Sequence, residues 1–227
     1  MTIQIYCDPC TVNSRKVLAG LKQMNADYNH VFINYVTGEH KSEEFAKINP
    51  LKTVYDIRHQ TSNAILQYAA DKSGAESMYP KDLKRRADVN RWLFWEASSW
   101  FPACYVYLME NAVKSLMGGE PDQKAIDAAS AKFHTCASVL EARLSKNKWL
   151  TGDDVTIADI AVAAAMPVPQ AMMLPLENYP NVKRWLAEEV QQLQSWKNTQ
   201  GAVDKALLPN QSATVKVLIV GLLAGVK

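Results

Sequence analysis

Residues 3–33, "IQIYCDPCTVNSRKVLAGLKQMNADYNHVFI", hold two short β-rich stretches joined by a helical one. Ile3 and Ile5 alternate with polar neighbours as a half-buried strand does, and 28–33 ("YNHVFI") is a second strand rich in β-formers. Between them Val17, Leu18, Leu21 and Met24 recur at helical spacing. The segment predicts a βαβ unit, which favours a parallel strand pair with a right-handed crossover. Residues 42–48 predict a further short helix. It stops at Asn49-Pro50, because a residue before proline avoids the helical region.

From residue 82 the period becomes helical almost throughout. Periodic stretches cover 83–117, 125–144, 157–165 and 182–193, broken at Gly118-Gly119 with Pro121, at Met166-Pro167-Val168-Pro169 and at Tyr179-Pro180. A polar linker, 72–81, precedes them. The expected organisation is an α/β domain over 1–75, an all-helical domain over 82–205 and an apolar tail over 206–227. Within the helical half, Thr156 stands three residues before Asp159 at the head of an apolar run. That is a variant capping box with Val155 stapled onto Ile160, and losing the cap should cost about 1 kcal/mol.

The 25 basic and 23 acidic residues leave a net charge of +2, which makes no electrostatic footprint for nucleic acid. With 48% hydrophobic residues there is ample material for a packed core. Four cysteines are too few for a disulfide-built fold, and the N-terminus has no secretory pattern, so a reduced, cytoplasmic protein is expected. The stretch 215–226 is almost wholly apolar but shorter than the roughly 20 residues a spanning helix needs. It is expected to pack on its own protein or a partner, with peripheral membrane contact as the alternative.

Cys7 and Cys10 form a CxxC. A working dithiol wants its nucleophile at a helix N-terminus, where the thiol pKa falls. Cys7 belongs to the end of the first strand, whereas Cys10 lies close to the right place and is a candidate thiol. Zinc would need a second Cys or His pair at ligand spacing, and none exists, so no metal is expected.

Several motifs in order resemble the glutathione transferase superfamily over residues 2–200. Gly38-Glu39-His40-Lys41 followed by Phe45 and Asn49-Pro50 is similar to a segment of the phi class and its bacterial relatives. Ser62-Asn63-Ala64-Ile65 resembles the family's helix start after its strand hairpin. Leu150-Thr151-Gly152 with Thr156-Ile157-Ala158-Asp159 resembles its folding box, and Tyr179-Pro180 through Trp185 with Ser195-Trp196 its last long helix. The turn Thr11-Val12-Asn13 with Lys16 is similar to that of the bacterial Nu class. The resemblance implies a thioredoxin-like first domain, an all-helical second domain and a homodimer.

It also implies a site. Glutathione's thiol is mostly neutral at pH 7 and reacts as the thiolate, which donors at a helix N-terminus stabilise. By the resemblance, Thr11 and Asn13 are the catalytic donors, and His40, Lys41, Thr53, Val54, Thr61 and Ser62 bind glutathione as co-substrate. Tyr55 stands where the family has a cis-proline, Thr61 where it has an acid, and the hairpin near 52–61 is shorter. Aromatic residues on the first long helix of the second domain are mostly core, while Trp95, Trp100 and Tyr105 are expected to line a pocket for a small apolar electrophile. The function implied is conjugation of glutathione to that electrophile. The alternatives are a binding or assembly module that has lost glutathione, and a glutathione-dependent disulfide reductase.

Overall fold

The computed structural model describes residues 2–35, 37–50, 52 and 62–207. Thr53, Val54, Tyr55 and Thr61, the hairpin near 52–61 and the apolar tail beyond 207 lie outside the described residues. Strand β1 (Ile3–Cys7) runs parallel to β2 (Tyr28–Phe32), with Ile3 beside Tyr28 and Cys7 beside Phe32. Ile3, Ile5 and Cys7 point inward and are buried, the two-residue period expected of a strand covered on one face.

Helix α1 (Val12–Gln23) makes the crossover and ends where Asn25 takes a left-handed conformation, with φ of 50°. Every residue from Ser14 to Leu21 in α1 is buried. A helix buried all round sits between layers rather than on a surface. Here α2 (Glu43–Ile48) follows, capped by the Ser42 hydroxyl accepting the Phe45 N–H, and α3 (Ser62–Ser73) then packs along α1. Gly20 permits the close approach of α1 to α3, since a Cβ there would lie 2.2 Å from Leu66 Cδ2.

The helical half begins with one continuous helix over 83–116. Its α-helical pieces are α4 (Leu83–Trp95), α5 (Phe101–Tyr107) and α6 (Lys114–Leu116), separated by π-helical turns Glu96–Trp100 and Leu108–Val113. Pro102 has no N–H to give to the preceding turn, and the widened turn before it absorbs that loss. Helix α7 (Gln123–Leu144) starts at Asp122, whose carboxylate accepts two backbone N–H groups. Helix α8 (Ile157–Ala164) is buried throughout and packs against α1 and α4. Its expected capping box forms: the Asp159 carboxylate accepts the N–H of Thr156 (2.9 Å) and of Leu150 (2.8 Å).

Helix α9 (Pro180–Arg184) opens with proline, where a missing N–H costs nothing, and continues through a π turn to residue 192. Helix α10 (Gln194–Leu207) then returns to pack on α1. The result is a core in which α1 is enclosed by α3 on one side and by α8 and α10 on another. Among the described residues no helix is long and apolar enough to cross a membrane.

Candidate active site at the start of the first helix

Asp8, nearly buried, builds the turn between β1 and α1. Its Oδ1 accepts the Cys10 N–H (3.2 Å) and its Oδ2 the Tyr35 N–H (3.2 Å), tying the turn to the segment after β2. Thr11 is the N-cap of α1 with extended backbone, but its side chain accepts nothing from the helix's own N–H groups. The Thr11 hydroxyl instead lies 2.6 Å from Ser14 Oγ and 3.3 Å from the Asp8 carbonyl. A carbonyl only accepts, so Thr11 donates there and takes the Ser14 proton in return. The half-buried Thr11 hydroxyl therefore sits at the positive end of α1, backed by a buried donor. Ser14 was not identified from sequence, although its three-residue offset from Thr11 was the available signal.

The cysteines stand differently from what a helix start suggests. Burial pushes the Cys7 thiol up to about 12, opposed by its hydrogen-bonding contact with Ser14 and reinforced by the Asp8 charge. Burial and then Asp8 push Cys10 upward as well. Proximity to α1 made Cys10 a candidate thiol, a role that needs a lowered pKa. The adjacent carboxylate and the loss of solvent outweigh the helix dipole, and both thiols are neutral at pH 7.

One turn further along α1, Lys16 is buried in an ion pair with Glu96, its Nζ 2.9 Å and 3.0 Å from the two carboxylate oxygens. Lys16 also donates to Ser62 Oγ (3.2 Å) and Asn63 Oδ1 (3.1 Å). Asn63 returns its amide to Glu96 (2.9 Å) and to the Leu93 carbonyl (2.9 Å). Ser62 in turn donates to Asn13 Oδ1 at 3.4 Å. Burial lowers the Lys16 pKa, and the Glu96 carboxylate opposes that only in part. Removing one member of such a buried pair costs about 3–5 kcal/mol, because the other charge is left without solvent or partner. Glu96 and Asn63 were not singled out from sequence; a carboxylate among apolar and aromatic helix residues was the only hint.

His40 is buried, its ring stacked on Tyr35 at 4.6 Å, and its Nδ1 has no partner among the described residues. Burial, and then the neighbouring Lys41 charge, lower its pKa, so it is neutral at pH 7. Lys41 is exposed. Tyr35 lies within electrostatic reach of both Tyr105 and Cys10, which brings α5 to the side of the α1 turn. Tyr105 is exposed and packs on Phe101, with ring centroids 5.3 Å apart. Trp95 is half-buried and stacks on Trp100 at 5.8 Å. Trp100 itself is fully buried, with its indole N–H donated to the Val162 carbonyl (3.0 Å). Trp100 is therefore packed in the core among the described residues rather than exposed to a pocket, a correction to its expected role. Helical periodicity places it on the inner face, and only the α8 carbonyl reveals why it stays there.

A cavity of about 350 Å³ lies elsewhere, between the segment Pro167–Ala171 and α10, lined by Val168, Trp196, Gln200 and Asp204 among others. It includes none of the expected site residues.

Comparison with known proteins gives a consistent answer. The family model described as "Glutathione S-transferase, C-terminal domain" matches residues 100–192. The chain is 32% identical over 192 residues to glutathione S-transferase 1 of Zea mays, covering 81% of this chain and 89% of that protein. It is 31% identical over 193 residues to a probable glutathione S-transferase of Oryza sativa subsp. japonica, covering 81% and 89%. Among solved structures, the maize glutathione S-transferase I in complex with an atrazine glutathione conjugate superposes with a TM-score of 0.79. That pair is 29% identical, over 90% of this chain and 99% of the other.

Proposed function

The chain belongs to the glutathione S-transferase family, and from that premise we propose that it joins the thiolate of glutathione to a small apolar electrophile. The observation that carries the reading is the Thr11 hydroxyl. It caps none of its own helix's N–H groups, stands at the positive end of α1 and is backed by the Ser14 proton. A sulfur placed there takes the Thr11 proton in place of the Asp8 carbonyl, a long contact at 3.3 Å, with Asn13 as a second donor. Ser62, at the head of α3, together with His40 and Lys41, is proposed to hold the rest of the tripeptide. Thr53, Val54 and Thr61 remain proposed contacts by resemblance alone. Trp95 and Tyr105 are proposed to receive the electrophile. Their ring faces suit an apolar, polarisable acceptor.

The disulfide-reductase reading is disfavoured in its cysteine form, because both CxxC thiols are held neutral. A homodimer is part of the proposal. Leu83 and Phe94 are strongly exposed, and their eleven-residue separation puts these two apolar side chains on one face of α4, where a second copy could cover them. Cytoplasmic location is also proposed, supported by four free cysteines.

The test is the thermal midpoint with and without millimolar glutathione, followed by conjugation to an apolar electrophile. Binding must raise the midpoint by mass action. Thr11→Ala should lower kcat/KM by about 10- to 100-fold, the worth of one hydrogen bond to an anion. No midpoint shift in the unmodified protein, or unchanged turnover in Thr11→Ala, overturns the reading.

A further inference from the structure

We infer that Lys16, locked by Glu96, is a positioning residue for the thiol site, deciding through Ser62 which end of the Asn13 carboxamide faces the reacting sulfur. This rests on the proposed function above and assigns a role to a buried ion pair that the reaction does not otherwise use.

An ammonium only donates, so Ser62 Oγ, 3.2 Å from Lys16 Nζ, must accept from it. Ser62 has one proton left, and it goes to Asn13 Oδ1 at 3.4 Å. The carboxamide oxygen is thereby held at Ser62, and the NH2 end is turned the other way. No described residue accepts from that NH2, so it remains available to an anion beside Thr11. With the two ends exchanged, Asn13 would offer the thiolate a lone pair, which repels it.

Lys16 has no freedom to release Ser62. Its three N–H bonds are directed to Ser62, to Asn63 Oδ1 at 3.1 Å and to Glu96 at 2.9 Å. Asn63 is itself held by Glu96 and by the Leu93 carbonyl, each at 2.9 Å. Three elements, α1, α3 and the π turn after α4, meet at this one ammonium. An apolar pair of similar volume would generally stabilise a fold as well as a buried ion pair does. What the ion pair adds is direction: it sets a chain of hydrogen bonds that runs outward to Asn13.

The test uses the full chain with Lys16→Met and Glu96→Gln combined, so that no buried charge is left alone. Calorimetry reads glutathione affinity, ultraviolet absorbance reads the fraction of bound glutathione present as thiolate at pH 7, and steady-state kinetics separate kcat from KM. The expected result is affinity and KM within a few-fold of the unmodified protein. The thiolate fraction and kcat should each fall by about tenfold, the lower end of what one hydrogen bond to an anion is worth. A folded double variant with unchanged thiolate fraction and kcat overturns the inference. If the double variant does not fold, Ser62→Ala decides instead, read at saturating glutathione. It removes the hydroxyl through which Lys16 reaches Asn13 and adds no charge, so an undiminished thiolate fraction overturns the inference and a loss supports it. The unmodified protein is measured first, and absence of glutathione binding there refutes the functional reading itself and this inference with it.

Discussion

Asp159 is the buried carboxylate that ties Leu150 and Thr156 to the head of α8, and its titration is a measurable property of the fold. Two effects oppose each other there. Loss of water favours the neutral acid, while the N–H groups of Leu150 and Thr156 and the Thr156 hydroxyl (3.1 Å) favour the anion. Burial wins, and the pKa stands at about 6, up from 3.8. A carboxyl raised in the folded state takes up its proton there before it does in the unfolded chain. Its contribution to stability is therefore greatest at low pH and is lost as pH rises through about 6. Asp159→Asn carries no charge at any pH, and pays a constant penalty because its NH2 end cannot accept the Thr156 N–H. Measured by urea unfolding at pH 5 and pH 7.5, the native protein should lose about 1.4 kcal/mol relative to the variant over that interval. In thermal unfolding this is about 3–5 °C of relative midpoint. If the native protein instead gains on the variant as pH rises, the three donors outweigh desolvation and the reasoning fails.

Gly20→Ala should destabilise by about 1–2 kcal/mol, overpacking against fully buried Leu66 exceeding the gain in helix propensity. A more stable variant in the same urea titration would show that Leu66 can turn away. Arg15→Lys should cost about 2–3 kcal/mol of unfolding free energy, because lysine loses the stack over Trp196 at 3.9 Å and cannot reproduce the fork reaching Pro167 and Gln200. Unaltered stability would mean those contacts carry little. Cys10→Ser should leave turnover of a small disulfide unchanged, and Cys10 in the native protein should alkylate more slowly at pH 7 than a free thiol. Fast alkylation would contradict the burial and carboxylate argument.

Local chemistry made much of the chain legible. The βαβ opening, the Thr156 cap, the short helix near 42–48 with its stop, and the long helical stretches each depend on residues within a few positions of one another. The candidate site, as proposed, could be drawn in part by the same logic. Thr11 and Asn13 follow from locating the start of α1, and His40, Lys41 and Ser62 from motifs of adjacent residues. Trp100 was misread because period alone cannot tell an aromatic that faces a cavity from one whose indole N–H is taken up by a carbonyl of another helix.

What the sequence determined by itself was the order of strands and helices, the placing of Thr11 at a helix start and the family to which those motifs point. Only the tertiary structure decided the environment of that start. In "SRKV", Arg15 and Lys16 are adjacent cations, yet both are buried, because α10 and the turn after α4 close over them. Their partners lie 185 residues away at Gln200 and 80 away at Glu96. Whether a charge is solvated, paired or shifted in pKa depends on what packs against it, and that is a property of the assembled core rather than of any short stretch of chain.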